Sequence, residues 1–173
     1  MAKIIFVLGG ARSGKSTFAL QQAKKHRKVA YIATGVACDA EMRQRIKKHK
    51  DERPSSWDTF EEKIDLNSTA IKHLSKYDAS IIDCIGGWVS NCMLAPKKSK
   101  VYPEKEIKKI TKSIKSIKKH TVIIVSNEVG LGLVPPYKMG REFRDILGRV
   151  NQILASEAQA VYFMIAGIPQ KIK

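Results

Sequence analysis

Five short apolar runs divide this chain of 173 residues, at positions 4–8, 29–34, 79–84, 121–126 and 161–165. Each is rich in Val, Ile or other β-formers and bounded by polar or glycine residues, which is the pattern of a buried strand. Between the runs the spacing lengthens to that of helices. Phe18, Ala19 and Ala23 follow the first run, and Met42, Ile46 and His49 follow the second at i, i+4 and i+7. Asp39 is placed to cap that second helix, which is expected from Ala40 to about Lys50, with Glu41 in its first turn. A short helix opened by Asn67 or Ser68 carries Ala70, Ile71 and Leu74. Ile107, Ile110, Ile114 and Ile117 form a third stripe, and Phe143, Ile146, Leu147, Val150, Ile153 and Leu154 a long fourth. The remainder reads as connection: a polar stretch after Pro54 with Trp57 and Glu61, a turn at Gly86-Gly87, a surface loop at 94–102, and a glycine- and proline-rich loop at 127–140. The run at 161–165 is the last clear strand.

Strands alternating with helices predict an α/β fold, a mostly parallel sheet with helices on both faces. Such sheets bind ligands at the carboxyl ends of their strands. The ends at Gly9, Thr34, Asp83 and Ser126 should therefore share one face. No linker, repeat or low-complexity segment interrupts the pattern, so residues 1–173 are expected to form a single domain.

The chemistry is densest just after the first run. Gly9, Gly10, Ala11, Arg12, Ser13, Gly14, Lys15 and Ser16 fit G-x-x-x-x-G-K-[ST], between a strand and a helix, the context that a phosphate loop requires. Glycines let the backbone curl until several N–H groups face one phosphate, and the helix N-terminus adds partial positive charge. Lys15 is expected to reach the β- and γ-phosphates, and the Ser16 hydroxyl to ligate Mg²⁺. Asp83, at the end of the third run, occupies the usual place of a Walker-B carboxylate near that ion, although an acid there could also cap the following turn.

Composition narrows the class. Hydrophobic residues make up 43% of the chain, which argues against disorder. No apolar run approaches the length of a membrane span and no signal-peptide pattern opens the chain, so a cytoplasmic protein without membrane insertion is expected. Cys38, Cys84 and Cys92 lack C-x-x-C spacing and read as reduced thiols. The formal charge of +16 raises nucleic acid as a partner. Half of it, ten lysines against Glu104 and Glu106, lies at 97–119, around the Ile107–Ile110–Ile114–Ile117 stripe. That distribution describes a solvated helix face, poor in the arginines and aromatics that read and stack bases.

His49 shares the apolar face of its helix while Arg43, Arg45, Lys47, Lys48 and Lys50 surround it. An imidazole among cations suits attack on a nucleotide phosphate, although an isolated helical histidine is more often packing or surface. His26, His73 and His120 offer no better case. The segments GGARSGKS, YIAT, EMRQRIKKHKDERPSSW, IIDCIGGWVSN, SNEVGLGLVP, FRDILGRVNQ and the closing KIK, in this order and spacing, resemble the bifunctional adenosylcobinamide kinase / adenosylcobinamide-phosphate guanylyltransferase family of cobalamin assembly. The H-K-D-x-R-P-x-x-W segment is far more specific than a phosphate loop alone.

The resemblance implies a RecA-like P-loop NTPase fold, a homotrimer, and two reactions. One phosphorylates adenosylcobinamide with ATP or GTP; the other transfers GMP from GTP to the resulting phosphate through a guanylylated histidine, here His49. It also implies nucleotide contacts at the loop 9–16, at Ala33, Thr34 and Gly35, at Lys50, Asp51, Glu52 and Arg53, and at Glu61 and Asp83, with Mg²⁺ held by Ser16 and Asp83. Lys48 stands where some relatives carry a first histidine, and Asp83 where relatives carry Glu. A P-loop enzyme with only one of the two activities, or a RecA-like ATPase stimulated by nucleic acid, remains open from sequence.

Overall fold

Strand β1 (Lys3–Gly9) runs through the interior, and its apolar residues alternate between two cores. Ile4 and Phe6 face one, Ile5 and Val7 the other, which is why the run is continuously apolar. The computed structural model describes residues 1–37, 39–96 and 101–173, without the side chains of residues 45 and 70–72. Expectations for Cys38, the 97–100 segment and the side chains of Arg45, Ala70 and Ile71 lie outside the described residues.

Around β1 stand β2 (Val29–Ala33), β3 (Asp58–Glu61), β4 (Ala79–Asp83), β5 (Thr121–Asn127), β6 (Ala160–Ile165) and β7 (Ile168–Lys171). They form one sheet in the order β3-β2-β4-β5-β1-β6-β7, parallel throughout except for the β6–β7 pair. Gly9 is in register with Asn127, Asp83 with Val125, and Ala33 with Asp83. The expected strand ends therefore share one face.

Helix α1 (Lys15–Ala23) covers one side with Phe18, Ala19, Leu20 and Ala23. The other side carries α3 (Leu66–His73), α4 (Ile85–Leu94), α5 (Pro103–Ser116) and α6 (Lys138–Glu157), whose Leu66, Trp88, Ile107, Ile110, Ile114, Leu147, Val150 and Leu154 complete the larger core. Helix α2 (Ala40–Asp51) contributes none of its described side chains to either buried core. Asp39 caps it as expected, accepting the Met42 N–H at 2.7 Å. On α5 the isoleucine stripe is buried, and Lys105, Lys108, Lys109 and Lys112 are exposed, so the charge sits on a solvated face. Among the described residues no helix is long and apolar enough to cross a membrane.

Four departures from the sequence pattern appear. Gly86 and Gly87 do not end in a turn but lie in the first turn of α4. The stretch after Pro54 contains β3, an edge strand with only Phe60 partly buried. The chain closes with β7, exposed along its length. Helix α6 begins at Lys138, inside the expected loop.

His120, just before β5, is a buried titratable group remote from the strand ends. Its Nδ1 lies 2.7 Å from the Tyr77 carbonyl and its Nε2 3.0 Å from the Ser80 hydroxyl. A carbonyl can only accept, so Nδ1 carries the proton and Nε2 accepts from Ser80. Burial lowers its pKa below the ordinary 6.5. The unfolded chain therefore binds this proton first as pH falls, and stability declines below that value. Urea midpoints taken from about pH 7.5 to about pH 5.5 should fall, and His120→Asn should flatten the slope.

Candidate active site at the strand ends

The turn from β1 to α1 is tightly constrained. A Cβ on Gly9 would stand 2.7 Å from the Met164 carbonyl oxygen and 2.8 Å from Ser13 Oγ, so only glycine lets the loop turn there. Gly14 caps α1 with φ +88°, a left-handed conformation that side chains disfavour. The Gly9 carbonyl accepts the Glu128 N–H at 2.9 Å, and the Ser13 carbonyl accepts the Gly167 N–H at 3.1 Å. The loop is thus tied to the β5 end and to the β6–β7 turn. Ala11 and Arg12 form its exposed tip, and Ser16 is half-buried in the first helical turn.

Lys15 is only 8% exposed. Its ammonium donates to the Gly10 carbonyl and lies 3.4 Å from Ser13 Oγ. Burial pulls its pKa down, and the negative charge of Asp83 nearby opposes that shift. The side chain is folded over the concavity that its own loop encloses, where a phosphate would lie.

The ends of β2 and β4 are locked together. Thr34, fully buried, accepts the Cys84 N–H at 2.9 Å and donates to the Cys84 carbonyl at 2.7 Å. Its own carbonyl accepts from Asn91 Nδ2 at 2.8 Å. The Ala33 carbonyl accepts the Glu62 N–H, leaving Gly35 as the exposed member of this trio. Cys84 caps α4, its sulfur 3.4 Å from the Gly87 N–H, and burial pushes its thiol up to about 11. It is a free cysteine, as is Cys92.

The last turn of α2 and the residues after it form the second half of the site. Lys50 pairs with Glu61, at the end of β3, at 2.7 Å. That hydrogen bond holds the Glu61 carboxyl below its ordinary pKa. Lys50, Arg53, Pro54, Ser55, Trp57, Thr59 and Glu61 line one cleft of about 450 Å³. The Arg53 guanidinium lies over the Tyr31 ring, its carbon 3.5 Å from the centroid. Tyr31 in turn donates its hydroxyl to Asp83 Oδ2 at 2.6 Å. Its pKa is driven up by burial first and by the Asp83 charge second.

The site residues therefore fall into two groups joined by one contact chain. The phosphate loop, Thr34 and Asp83 form the first; Lys50, Arg53 and Glu61 form the second, bridged by Arg53–Tyr31–Asp83. His49 is half-buried beside Lys50 and has no hydrogen-bond partner among the described residues, and no described contact joins it to the phosphate loop. Asp51 and Glu52 are exposed. Sequence reasoning missed Tyr31. Its signal was a phenol in an otherwise apolar buried strand, since a buried hydroxyl needs a partner.

A family model for cobinamide kinase / cobinamide phosphate guanyltransferase matches residues 5–172. The chain belongs to this family. A bifunctional adenosylcobalamin biosynthesis protein CobU from Salmonella typhimurium is 37% identical, the match covering 98% of this chain and 99% of the relative. A bifunctional adenosylcobalamin biosynthesis protein CobP from Pseudomonas aeruginosa is 35% identical over 96% and 95%. Two solved structures share the fold. An ATP synthase subunit, NeqB of Nanoarcheaum equitans, aligns with TM-score 0.54 at 12% identity over 94% of this chain and 45% of its own. The RadB recombinase aligns at 0.53 and 16%, over 93% and 73%. At such identities the likeness shows architecture alone, and it makes the fold of this cobinamide kinase / guanyltransferase family member a RecA-like P-loop NTPase fold.

The Thr34 clamp yields a test within the cobinamide kinase fold. Thr34→Val removes the partner of the Cys84 N–H and carbonyl, and should lower stability by about 1–3 kcal/mol. Urea denaturation read by far-UV circular dichroism checks it.

Proposed function

We propose that the chain phosphorylates the hydroxyl of adenosylcobinamide and then transfers GMP from GTP to adenosylcobinamide-phosphate, with His49 as the covalent carrier. The observation that supports this most is the contact chain from the His49-bearing segment, through Arg53 and Tyr31, to Asp83 beside the phosphate loop. A P-loop ATPase acting on nucleic acid has no use for that segment.

On this reading one loop serves both reactions. Its backbone N–H groups and Lys15 bind the β- and γ-phosphates of ATP or GTP and neutralise charge there. The remaining nucleotide contacts are assigned to Ala33, Thr34, Gly35, Lys50, Asp51, Glu52, Arg53, Glu61 and Asp83. In guanylyl transfer an imidazole nitrogen of His49 attacks the α-phosphorus of GTP. The bond to the bridging oxygen breaks, pyrophosphate leaves, and a phosphoramidate remains. A phosphate oxygen of adenosylcobinamide-phosphate then attacks that phosphorus, the P–N bond breaks, and adenosylcobinamide-GDP leaves with His49 regenerated. Lys50, next to His49 in the chain, and Arg53, four residues beyond it, are assigned to balance charge on the equatorial oxygens. In the kinase step the substrate hydroxyl takes the γ-phosphoryl group directly, and no protein carrier is required.

The donor set fits magnesium. The Ser16 hydroxyl and the Asp83 carboxylate, of which Tyr31 engages one oxygen, are hard oxygen donors of the kind that hold Mg²⁺ together with substrate phosphates. The ion would supply further neutralisation of phosphate charge.

The homotrimer and the cytoplasmic setting belong to the same proposal. Leu131, Leu133 and Val134 before α6, and Ile165, Ile168 and Ile172 on the terminal hairpin, are exposed in the chain alone. Subunit contact would cover such surface. Light scattering coupled to gel filtration should report three chains per particle.

Two substitutions test the chemistry. Lys15→Ala should depress both kinase and guanylyltransferase kcat/KM by about 100-fold or more, since both need the triphosphate in one loop. His49→Ala should abolish guanylyl transfer while much of the kinase activity survives. Separate assays of the two half-reactions read these outcomes, and a wild-type protein with only one activity would point to a single-function enzyme.

A further inference from the structure

We propose that Tyr31 is a positioning residue for guanylyl transfer, its ring seating Arg53 and its hydroxyl holding Asp83. The inference rests on the function proposed above. Tyr31 sits on β2 at 2% exposure. A phenylalanine would fill the same volume without a hydroxyl to satisfy. The hydroxyl instead makes a short 2.6 Å bond to Asp83, of the charge-assisted kind that fixes a carboxylate rotamer. That rotamer decides which Asp83 oxygen faces the phosphate loop.

The ring acts on the other partner. With its guanidinium carbon 3.5 Å from the Tyr31 centroid, Arg53 sits over the ring, and its cation is held by the ring's negative face. Its Nε and Nη1 atoms are buried and have no hydrogen-bond partner among the described residues. The planar guanidinium carries its donors in one plane, the arrangement that meets phosphoryl oxygens in pairs, and the ring fixes where that fork lies. Donors buried without a partner are costly to leave unpaired, so a phosphoryl group that reaches them is bound strongly. Arg53 lies four residues beyond His49, just past the end of α2. One side chain thus joins the nucleophile's segment to the carboxylate beside the loop, whereas the other described ties of α2, Ile46 against Gly35 and the exposed Lys50–Glu61 pair, do not reach Asp83.

The two halves of this role separate by substitution. Tyr31→Phe keeps the seat for Arg53 and releases Asp83, so kinase and guanylylation rates should fall by a similar factor, about tenfold. Tyr31→Ile removes the seat as well, and the ratio of guanylylation rate to kinase rate should drop by about a further tenfold. Arg53→Lys, which keeps the charge but not the flat fork and leaves the core untouched, should lower that ratio similarly, so the test survives if Tyr31→Ile does not fold. The readouts are single-turnover GMP labelling of the protein by intact mass, and kinase kcat and KM, with urea midpoints measured for each variant. A structural role alone would lower both rates in step with stability and leave the ratio fixed. An unchanged ratio in both Tyr31→Ile and Arg53→Lys, or unchanged rates in Tyr31→Phe, overturns the proposal. Failure of the underlying reading shows separately, as no GMP label on the wild-type protein.

Discussion

An ammonium group is expensive to remove from water, and among the described residues Lys15 is the one lysine or arginine that is buried. Much of the site can be understood as the arrangement that tolerates it. The Gly10 carbonyl and the Ser13 hydroxyl take up its donors, while Asp83 supplies opposing charge from the next strand but one. That arrangement requires Gly9 and Gly14, because no other residue lets the loop pass so close to the Met164 carbonyl or turn left-handed into α1. It also requires β1 and β4 in register through β5, which the paired runs of branched residues provide. A polyphosphate, offering the same lysine several charged oxygens, is the natural ligand of such a loop.

The second group of residues is held differently. Helix α2 puts none of its described side chains into the buried cores; its described ties are Ile46 against Gly35, the Lys50–Glu61 pair, and Arg53 on Tyr31 just beyond its end. The exposed Lys50–Glu61 pair contributes little to stability. The Arg53–Tyr31 contact is the firmer tie, and it ends at Asp83. A phosphoryl transfer to a substrate hydroxyl needs only the loop and its charges. A covalent guanylyl carrier needs one more nucleophile, held close to the same nucleotide. On the proposed reading the fold meets both demands by hanging the nucleophile on a lightly packed helix and tethering that helix to the carboxylate that serves the loop.

The central strands and the phosphate loop were legible because the sheet interior leaves them no choice. Runs such as 121–126 and 79–84 are buried on both sides, and glycines at 9 and 14 answer to fixed steric limits. The edges were not legible. β3 and β7 each have a neighbour on one side only and bury little, so Asp58–Glu61 and Ile168–Lys171 show no continuous apolar run. Gly86-Gly87 pointed to a turn because glycine is poor in helices. A Cβ at Gly87 would stand 3.3 Å from Thr34 Oγ1, so the small residue there answers to the tip of β2, and Trp88, Val89 and Cys92 carry the helix. Thr34 was read as a nucleotide contact; that its side chain also joins β2 to β4 had no signal in the sequence. The role proposed for His49 rests on the family pattern alone, because a half-buried histidine on a helical turn with several cations has no signature of its own.

The central claim is that a single phosphate loop presents GTP to His49, and the covalent intermediate is its most direct witness. The wild-type protein incubated with GTP and Mg²⁺, then measured by intact mass and peptide mapping, should gain the mass of one GMP on the peptide containing His49. The bond should be labile in acid and stable in base, as a phosphoramidate is. An adduct mapping to Lys47, Lys48 or Lys50, or no adduct while guanylyl transfer proceeds, would contradict the account.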